Sequence, residues 1–269
     1  MNASETRYQR PDVPRDDRQI RVGSLLFTMV EPHKGHEVAY NRWYERDHFY
    51  AGCMVGKWQF AGARYIATKD CKSRRYPVDS VIVPDATVGS YLAIYWVLDG
   101  HHDEWNEWGV EQVNWLHEND RMFLERDHIH TALYEYAGEA NAQGSTMPIE
   151  LALDRAYGGI FVLIGEMADG VDDDQVTAWL QGLPCPADVA LVGTPLPLRD
   201  DRPGDVPDTQ AAGRVLIVGF VEGDPLAAWD KGCTGLGDEF AKAGLGEIVF
   251  ASPFRSTVPG TDTYVDQLW

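Results

Sequence analysis

Within residues 36–65, HEVAYNRWYERDHFYAGCMVGKWQFAGARY, the chain gathers Tyr40, Asn41, Trp43, Tyr44 and His48 in one stretch of helical pattern. Residues four apart share a helix face, so Tyr40, Tyr44 and His48 form a stripe with Asn41 beside His48. An imidazole near its reference pKa gives and takes protons at neutral pH, which suits a general acid or base. A neighbouring phenol such as Tyr44 can hydrogen-bond to a developing enolate. The same stripe would also serve as the rim of a plain core, its polar tips reaching water.

A second group sits in residues 126–136, RDHIHTALYEY. As a strand, its period of two puts Arg126, His128, His130, Ala132, Tyr134 and Tyr136 on one face, and Ile129, Thr131 and Leu133 on the other. Residues 91–98 likewise oppose Tyr91, Ala93 and Tyr95 to Leu92, Ile94 and Trp96. The aliphatic face is expected to meet helices, and the Tyr- and His-rich face to line a cavity for an aromatic or polycyclic ligand. Cross-strand aromatic pairing on a solvent-facing sheet gives the same pattern. His128 and His130 could position a substrate oxygen or orient water. No Asp or Glu on their face completes a ligand set, so no metal is expected. Arg64, Lys69, Lys72, Arg74 and Arg75 form a basic cluster that could hold a substrate carboxylate or phosphate, or simply be a solvated loop. Trp105, Trp108 and Trp115 read as core.

The elements that would position these residues follow from patterning. Strands are expected at 22–30, 60–68, 91–98 and 127–136, with helices at 36–55 and 101–122. Strands at 159–167, 188–196, 214–221 and 247–253, with helices at 172–183 and 225–243, repeat the order. That order, β-α-β-β-α-β, is the ferredoxin-like split unit. Such a unit leaves one sheet face bare, and two units can cover each other sheet against sheet. The expected fold is therefore α+β, two ferredoxin-like units in tandem as an intramolecular pseudo-dimer. Residues 1–20 would be a mobile arm, 21–138 the first unit, 139–157 a linker and 158–269 the second unit.

Composition narrows the function. With 23 Lys/Arg against 42 Asp/Glu the formal charge is -19, which excludes the basic footprint that nucleic acid or an anionic membrane requires. All eight histidines precede residue 138, while only 7 of the basic residues follow it. Proton chemistry is therefore expected in the first half, with the second as scaffold. Cys53, Cys71, Cys185 and Cys233 are widely spaced and read as reduced thiols of a cytoplasmic protein.

Asn41–Arg42–Trp43–Tyr44 with His48, followed by Ala63–Arg64–Tyr65, resembles the dimeric α+β barrel superfamily, nearest to EthD-like proteins. The resemblance implies a two-sheet barrel, usually made of two chains and here fused in one. It implies His48 as the pocket histidine, with Asn41, Trp43, Tyr44 and Tyr65 around it. That superfamily includes cofactor-independent monooxygenases, polyketide cyclases, lactone isomerases, decarboxylases, dehydratases and haem proteins. Two departures stand out: the second half has no counterpart to His48, and residues 69–89 exceed the family's usual turn.

The function expected is a cofactor-independent acid–base enzyme of lyase, cyclase or isomerase type. Its substrate would be a hydrophobic aromatic, polyketide- or steroid-like carbonyl compound. His48 would carry the proton, with Tyr44, Tyr65, His128 or His130 stabilising the enolate. Asn41, Trp43, Arg64, Tyr91, Tyr95 and Tyr134 would complete the pocket. The alternatives are a non-catalytic binding protein, a cofactor-free monooxygenase, or a haem protein ligated by His48, His128 or His130. The chain would act as a monomer or pair as a homodimer.

Overall fold

The computed structural model describes residues 20–184, 186–208 and 212–269; the expected arm and Cys185 lie outside them apart from Ile20. The first half supplies β1 (Val22–Pro32), α1 (Glu37–Trp43), a π-helix (Tyr44–Met54), β2 (Gln59–Ile66), α2 (Lys69–Lys72), β3 (Tyr91–Leu98), α3 (His102–Glu118) and β4 (Arg126–Asn141). The second supplies β5 (Gly159–Met167), α4 (Asp173–Gln181), β6 (Val189–Leu196), β7 (Arg214–Val221), α5 (Pro225–Gly232), α6 (Leu236–Lys242) and β8 (Gly246–Ser256). The eight strands close into a barrel in the order β1-β3-β2-β8-β5-β7-β6-β4. Each half thus contributes strands in the spatial order fourth, first, third, second, which is the ferredoxin-like arrangement.

The two seams differ. β4 runs beside β6 from Leu133 to Asn141, whereas β2 meets β8 only at Tyr65–Ser256 and Ile66–Arg255. The connection after β2 extends the short seam, since Tyr76 and Ala251 exchange both backbone hydrogen bonds. A buried clasp holds this connection. Lys72 Nζ donates to Thr87 O at 2.6 Å and Ser90 Oγ at 2.7 Å, and Glu31 accepts from the Ser90 amide at 2.7 Å. Arg75 donates to the carbonyls of Ala86, Val88 and Gly89. The basic cluster is therefore structural at Lys72 and Arg75, while Arg74 pairs with Asp230 on the surface. Arg64, the member on β2, lines a separate pocket with Tyr65 and Tyr157.

Inside the barrel is solid core: Leu25, Phe27 and Met29 of β1, Leu92, Ile94 and Trp96 of β3, and Ile160, Val162 and Ile164 of β5 all point inward. The aliphatic face of β3 is thus buried between the sheets, and its tyrosine face meets the helices. Tyr91 and Tyr95 pack with Tyr40 and Tyr44. This reverses the sequence expectation for that strand. Large, mostly apolar side chains fill the space between the sheets, Trp96, Tyr65 and Tyr134 among them, while the helix layer takes the paired hydroxyls of Tyr44 and Tyr95. In the second half the helix-covered face is filled by Phe161, Leu163, Val176, Trp229 and Phe240.

Two further elements depart from expectation. The helix expected over 36–55 changes from α to π at Tyr44, and that over 225–243 breaks between Gly232 and Leu236. The linker is partly strand, because β4 continues to Asn141 along β6 past an irregularity between Tyr136 and Gly138.

Candidate active site

The outer face of β1 and β4, the π-helix and α3 enclose a cavity of about 130 Å³. Alternation along β1 turns Leu26, Thr28 and Val30 toward it while Leu25, Phe27 and Met29 enter the core. α3 contributes Trp105, Trp108, Val110, Val113 and His117. Trp105 Nε1 donates to Gln59 Oε1 at 2.8 Å, fixing one wall. Gly56 makes room for the other indole, since a Cβ there would lie 2.1 Å from Trp108 Cζ3. Of the three tryptophans expected as core, Trp105 is buried core and Trp108 packs against it, both also lining the cavity, whereas Trp115 is exposed.

The cavity's roof comes from the other half of the chain. Residues between β6 and β7, among them Leu198, Arg202, Pro203, Asp205 and Val206, fold over the opening. The second half is therefore more than scaffold. Asp205 Oδ2 accepts from Arg126 Nη1 at 3.1 Å, and its carboxylate lies 3.6 Å from His117 Nε2 and 3.8 Å from His128 Nε2. His128 Nδ1 is 2.9 Å from Thr131 Oγ1, which is in turn 2.9 Å from Thr28 Oγ1. Burial would raise the Asp205 carboxyl, but Arg126, His128 and His117 around it hold it below the ordinary value. Burial, reinforced by Arg126, lowers His128 to about 4.

His48 lines the opposite part of the cavity. Its ring stacks on Trp43 with centroids 4.6 Å apart and meets Tyr44 edge-on. Its buried Nδ1 has no hydrogen-bond partner. Gly52 gives the ring its space, because a Cβ there would sit 2.6 Å from His48 Cε1. Burial and then the positive charge of Arg126 lower His48 to about 3, so the imidazole is neutral at physiological pH.

The expected site residues divide sharply. His48, Tyr44 and His128 line the cavity. His130 does not: β4 is irregular where Met29 pairs with His130 and Val30 with His128, so Ile129 is an extra residue. Such a bulge breaks the period of two and sends the histidines to opposite faces. His130 is sealed in the barrel, edge-on to Phe27 and 3.3 Å from Tyr134 Oη. Tyr65 and Tyr134 belong to the same core. Tyr91 and Tyr95 lie in the helix layer behind the cavity, and Tyr44 Oη is 2.8 Å from Tyr95 Oη. Asn41 turns away from His48 toward the C-terminal segment, donating to Thr261 O and accepting from Arg64 Nη1. Arg64 is covered there, its guanidinium 4.4 Å from the Tyr44 ring. Trp43 stands behind the lining, stacked on His48, edge-on to Tyr44 and under the Arg126 guanidinium.

Sequence reading missed His117, Arg126 as an ion-pair partner, Gln59 and Asp205. Val110, Val113 and His117 share one helix face, a signal open to inspection. For Asp205, 79 residues from Arg126, no local signal exists.

No family model matches this chain, and no curated protein matches it. Among solved structures, an anthrone oxidase-like protein aligns over 88% of this chain and 92% of its own, with TM-score 0.55 and 9% identity. A chlorite dismutase candidate aligns over 93% and 100%, with TM-score 0.48 and 12% identity. A monooxygenase candidate from Lactobacillus acidophilus aligns over 88% and 94%, with TM-score 0.43 and 10% identity. At 9% identity the likeness to the first of these concerns the fold alone, an α+β barrel that this chain completes by itself.

Proposed function

We propose that this protein is an enzyme that moves a proton on a compact aromatic carbonyl or enol compound held in the cavity between β1, β4, the π-helix and α3. The observation that carries this reading is His48: a neutral imidazole with a buried, unpartnered Nδ1 in an otherwise largely apolar pocket. Nδ1 takes a proton from the carbon next to the carbonyl, and the electron pair of that C–H bond becomes the enolate. Burial resists an imidazolium, so the transfer depends on the enolate forming beside it as counter-charge. Arg126 and His128, oriented by Asp205, give the enolate oxygen an electropositive pole. Returning the proton to a different atom makes the reaction an isomerisation; loss of a leaving group instead makes it a lyase reaction. Neither outcome calls for a cofactor.

Haem does not fit these residues. His130 is enclosed by the barrel core, and the space beside His48 and His128 is about 130 Å³, the scale of a cavity that takes up benzene. The likeness to an anthrone oxidase-like protein favours a second reading, direct reaction of an electron-rich aromatic with oxygen.

Deuterium uptake at the α-carbon of a small aryl ketone in heavy water tests the proposal. The native chain is expected to accelerate exchange and His48→Ala to slow it by roughly 10² or more, with the fold intact by near-ultraviolet circular dichroism. Equal exchange by both chains would end the reading. Ligand-dependent oxygen consumption would replace it with the oxygenase.

A further inference from the structure

The wall that β1 and β4 give the cavity carries a polar pair besides Arg126 and His128. Thr28 and Thr131 face each other across the two strands, among Leu26, Val30 and Leu133. Thr28 is 8% exposed and Thr131 6%, so each hydroxyl needs its partners inside the protein. Thr131 has two, Thr28 Oγ1 at 2.9 Å and His128 Nδ1 at 2.9 Å. Among the described residues Thr28 has Thr131 alone, although a hydroxyl offers one proton and two lone pairs. The chain His128–Thr131–Thr28 therefore ends in unfilled hydrogen-bonding capacity on the cavity wall. Its direction is set by His128. Asp205 Oδ2 accepts from Arg126 Nη1 at 3.1 Å and lies 3.8 Å from His128 Nε2, outside hydrogen-bond reach, which leaves the imidazole proton available at Nδ1. With Nδ1–H donating to Thr131 and Thr131 to Thr28, the Thr28 proton is left for a ligand, and each bond polarises the next.

We infer that Thr28 is the contact for the substrate's carbonyl oxygen: its hydroxyl donates to that oxygen, and Thr131 and His128 position it from behind. When His48 takes the proton from the neighbouring carbon, the oxygen becomes an enolate, and a donor already aimed at it gains strength without reorganising. Thr28 keeps its own proton throughout. The electropositive pole of Arg126 and His128 thus reaches the substrate through two hydroxyls. The inference rests on the cavity proposed above as the active site and adds a residue that touches the substrate there.

Acetophenone and α-methylstyrene share a shape and differ by a carbonyl oxygen against a methylene, so calorimetric titration of the pair reads this contact. The native protein is expected to favour the ketone at least tenfold. Thr28→Val is expected to erase that preference while α-methylstyrene binds within about threefold of native affinity. Thr28→Ser keeps the hydroxyl, is expected to restore the preference, and guards against a folding defect in the valine variant. In deuterium exchange the valine variant is expected to lose about tenfold in kcat, because the bond strengthens toward the enolate. A ketone preference that is absent from the native protein or survives in Thr28→Val overturns the inference, as does failure of both compounds to bind. A preference lost instead for phenol over toluene would mean that Thr28 presents a lone pair, and overturns it as well. A preference that depends on Thr28 in a chain that does not accelerate exchange supports the contact and fails the proton-transfer reading alone.

Discussion

Trp43 and His48 lie face to face, ring centroids 4.6 Å apart and planes 18° from parallel, although they are five residues apart. On an α-helix such a pair would point in different directions. The π-helix that begins at Tyr44, with bonds such as Val55 N to Tyr50 O at 3.1 Å, brings residues five apart onto one face. The indole thereby fixes the plane of the imidazole proposed to carry the proton.

Gly52→Ala tests that placement. The added Cβ would approach His48 Cε1 and Nδ1 to 2.6 and 2.7 Å, so the ring must leave its stack. The expected outcome is a stability loss of about 1–3 kcal/mol from overpacking, with impaired proton exchange. Thermal unfolding and deuterium uptake give the two readouts, and native values in both would show that the ring is not pinned.

Acid should unfold this protein before its carboxylates titrate. Burial, with a smaller effect of Arg214, lowers His130 from 6.5 to about 3 in the fold. The unfolded chain therefore binds more protons as pH falls below 6.5, and stability must drop toward pH 3. One such buried histidine sets a slope of up to about 1.4 kcal/mol per pH unit. His48 and His128 act in the same direction. Denaturant midpoints measured from pH 7.5 down to 5 are expected to fall steadily; a flat profile would contradict the burial of neutral imidazoles.

Asp205→Asn should loosen the roof of the cavity. Arg126 keeps only 5% side-chain exposure and would lose the charge that faces it. Asp205 is itself 37% exposed, so screening limits the expected cost to about 1–2 kcal/mol. Because the carboxylate raises the His128 pKa, its removal is expected to lower that pKa further. Nuclear magnetic resonance titration of the His128 ring is the check, and an upward shift would count against the assignment.

Tyr44 and Tyr95 should behave as one unit. Their hydroxyls are 2.8 Å apart and buried, so Tyr44→Phe removes one of the two partners of Tyr95, whose other is Cys53, at a cost of about 1 kcal/mol. Because both single changes break the same bond, the Tyr44→Phe, Tyr95→Phe double variant is expected to cost less than the two single changes summed. Strict additivity in urea denaturation would mean that the hydroxyls do not interact.

Much of this architecture is written in local pattern. Apolar runs such as VGSLLFTMV and RVLIVGFV specify strands because only a two-sided buried strand accommodates them, and β1 and β7 form there. The order of elements, repeated in both halves, prescribes two ferredoxin-like units with bare sheet faces to cover. The confinement of every histidine to the first half foreshadowed that His48, His117 and His128 line one cavity there.

What pattern did not determine turns on one-residue offsets and on distance along the chain. A bulge at Ile129 separates His128 from His130, and a change from α to π bonding swings His48 under Trp43; each depends on how neighbouring elements pack rather than on residue period. Both faces of β3 are hydrophobic enough to be buried, so only closure of the barrel decided that Trp96 goes inside and Tyr95 meets the helices. Asp205 reaches Arg126 because β6 runs beside β4, which carries the segment after β6 over a pocket built by the other half. Sequence thus named the strands and the histidines, and the closing of the barrel chose which of them share a chamber.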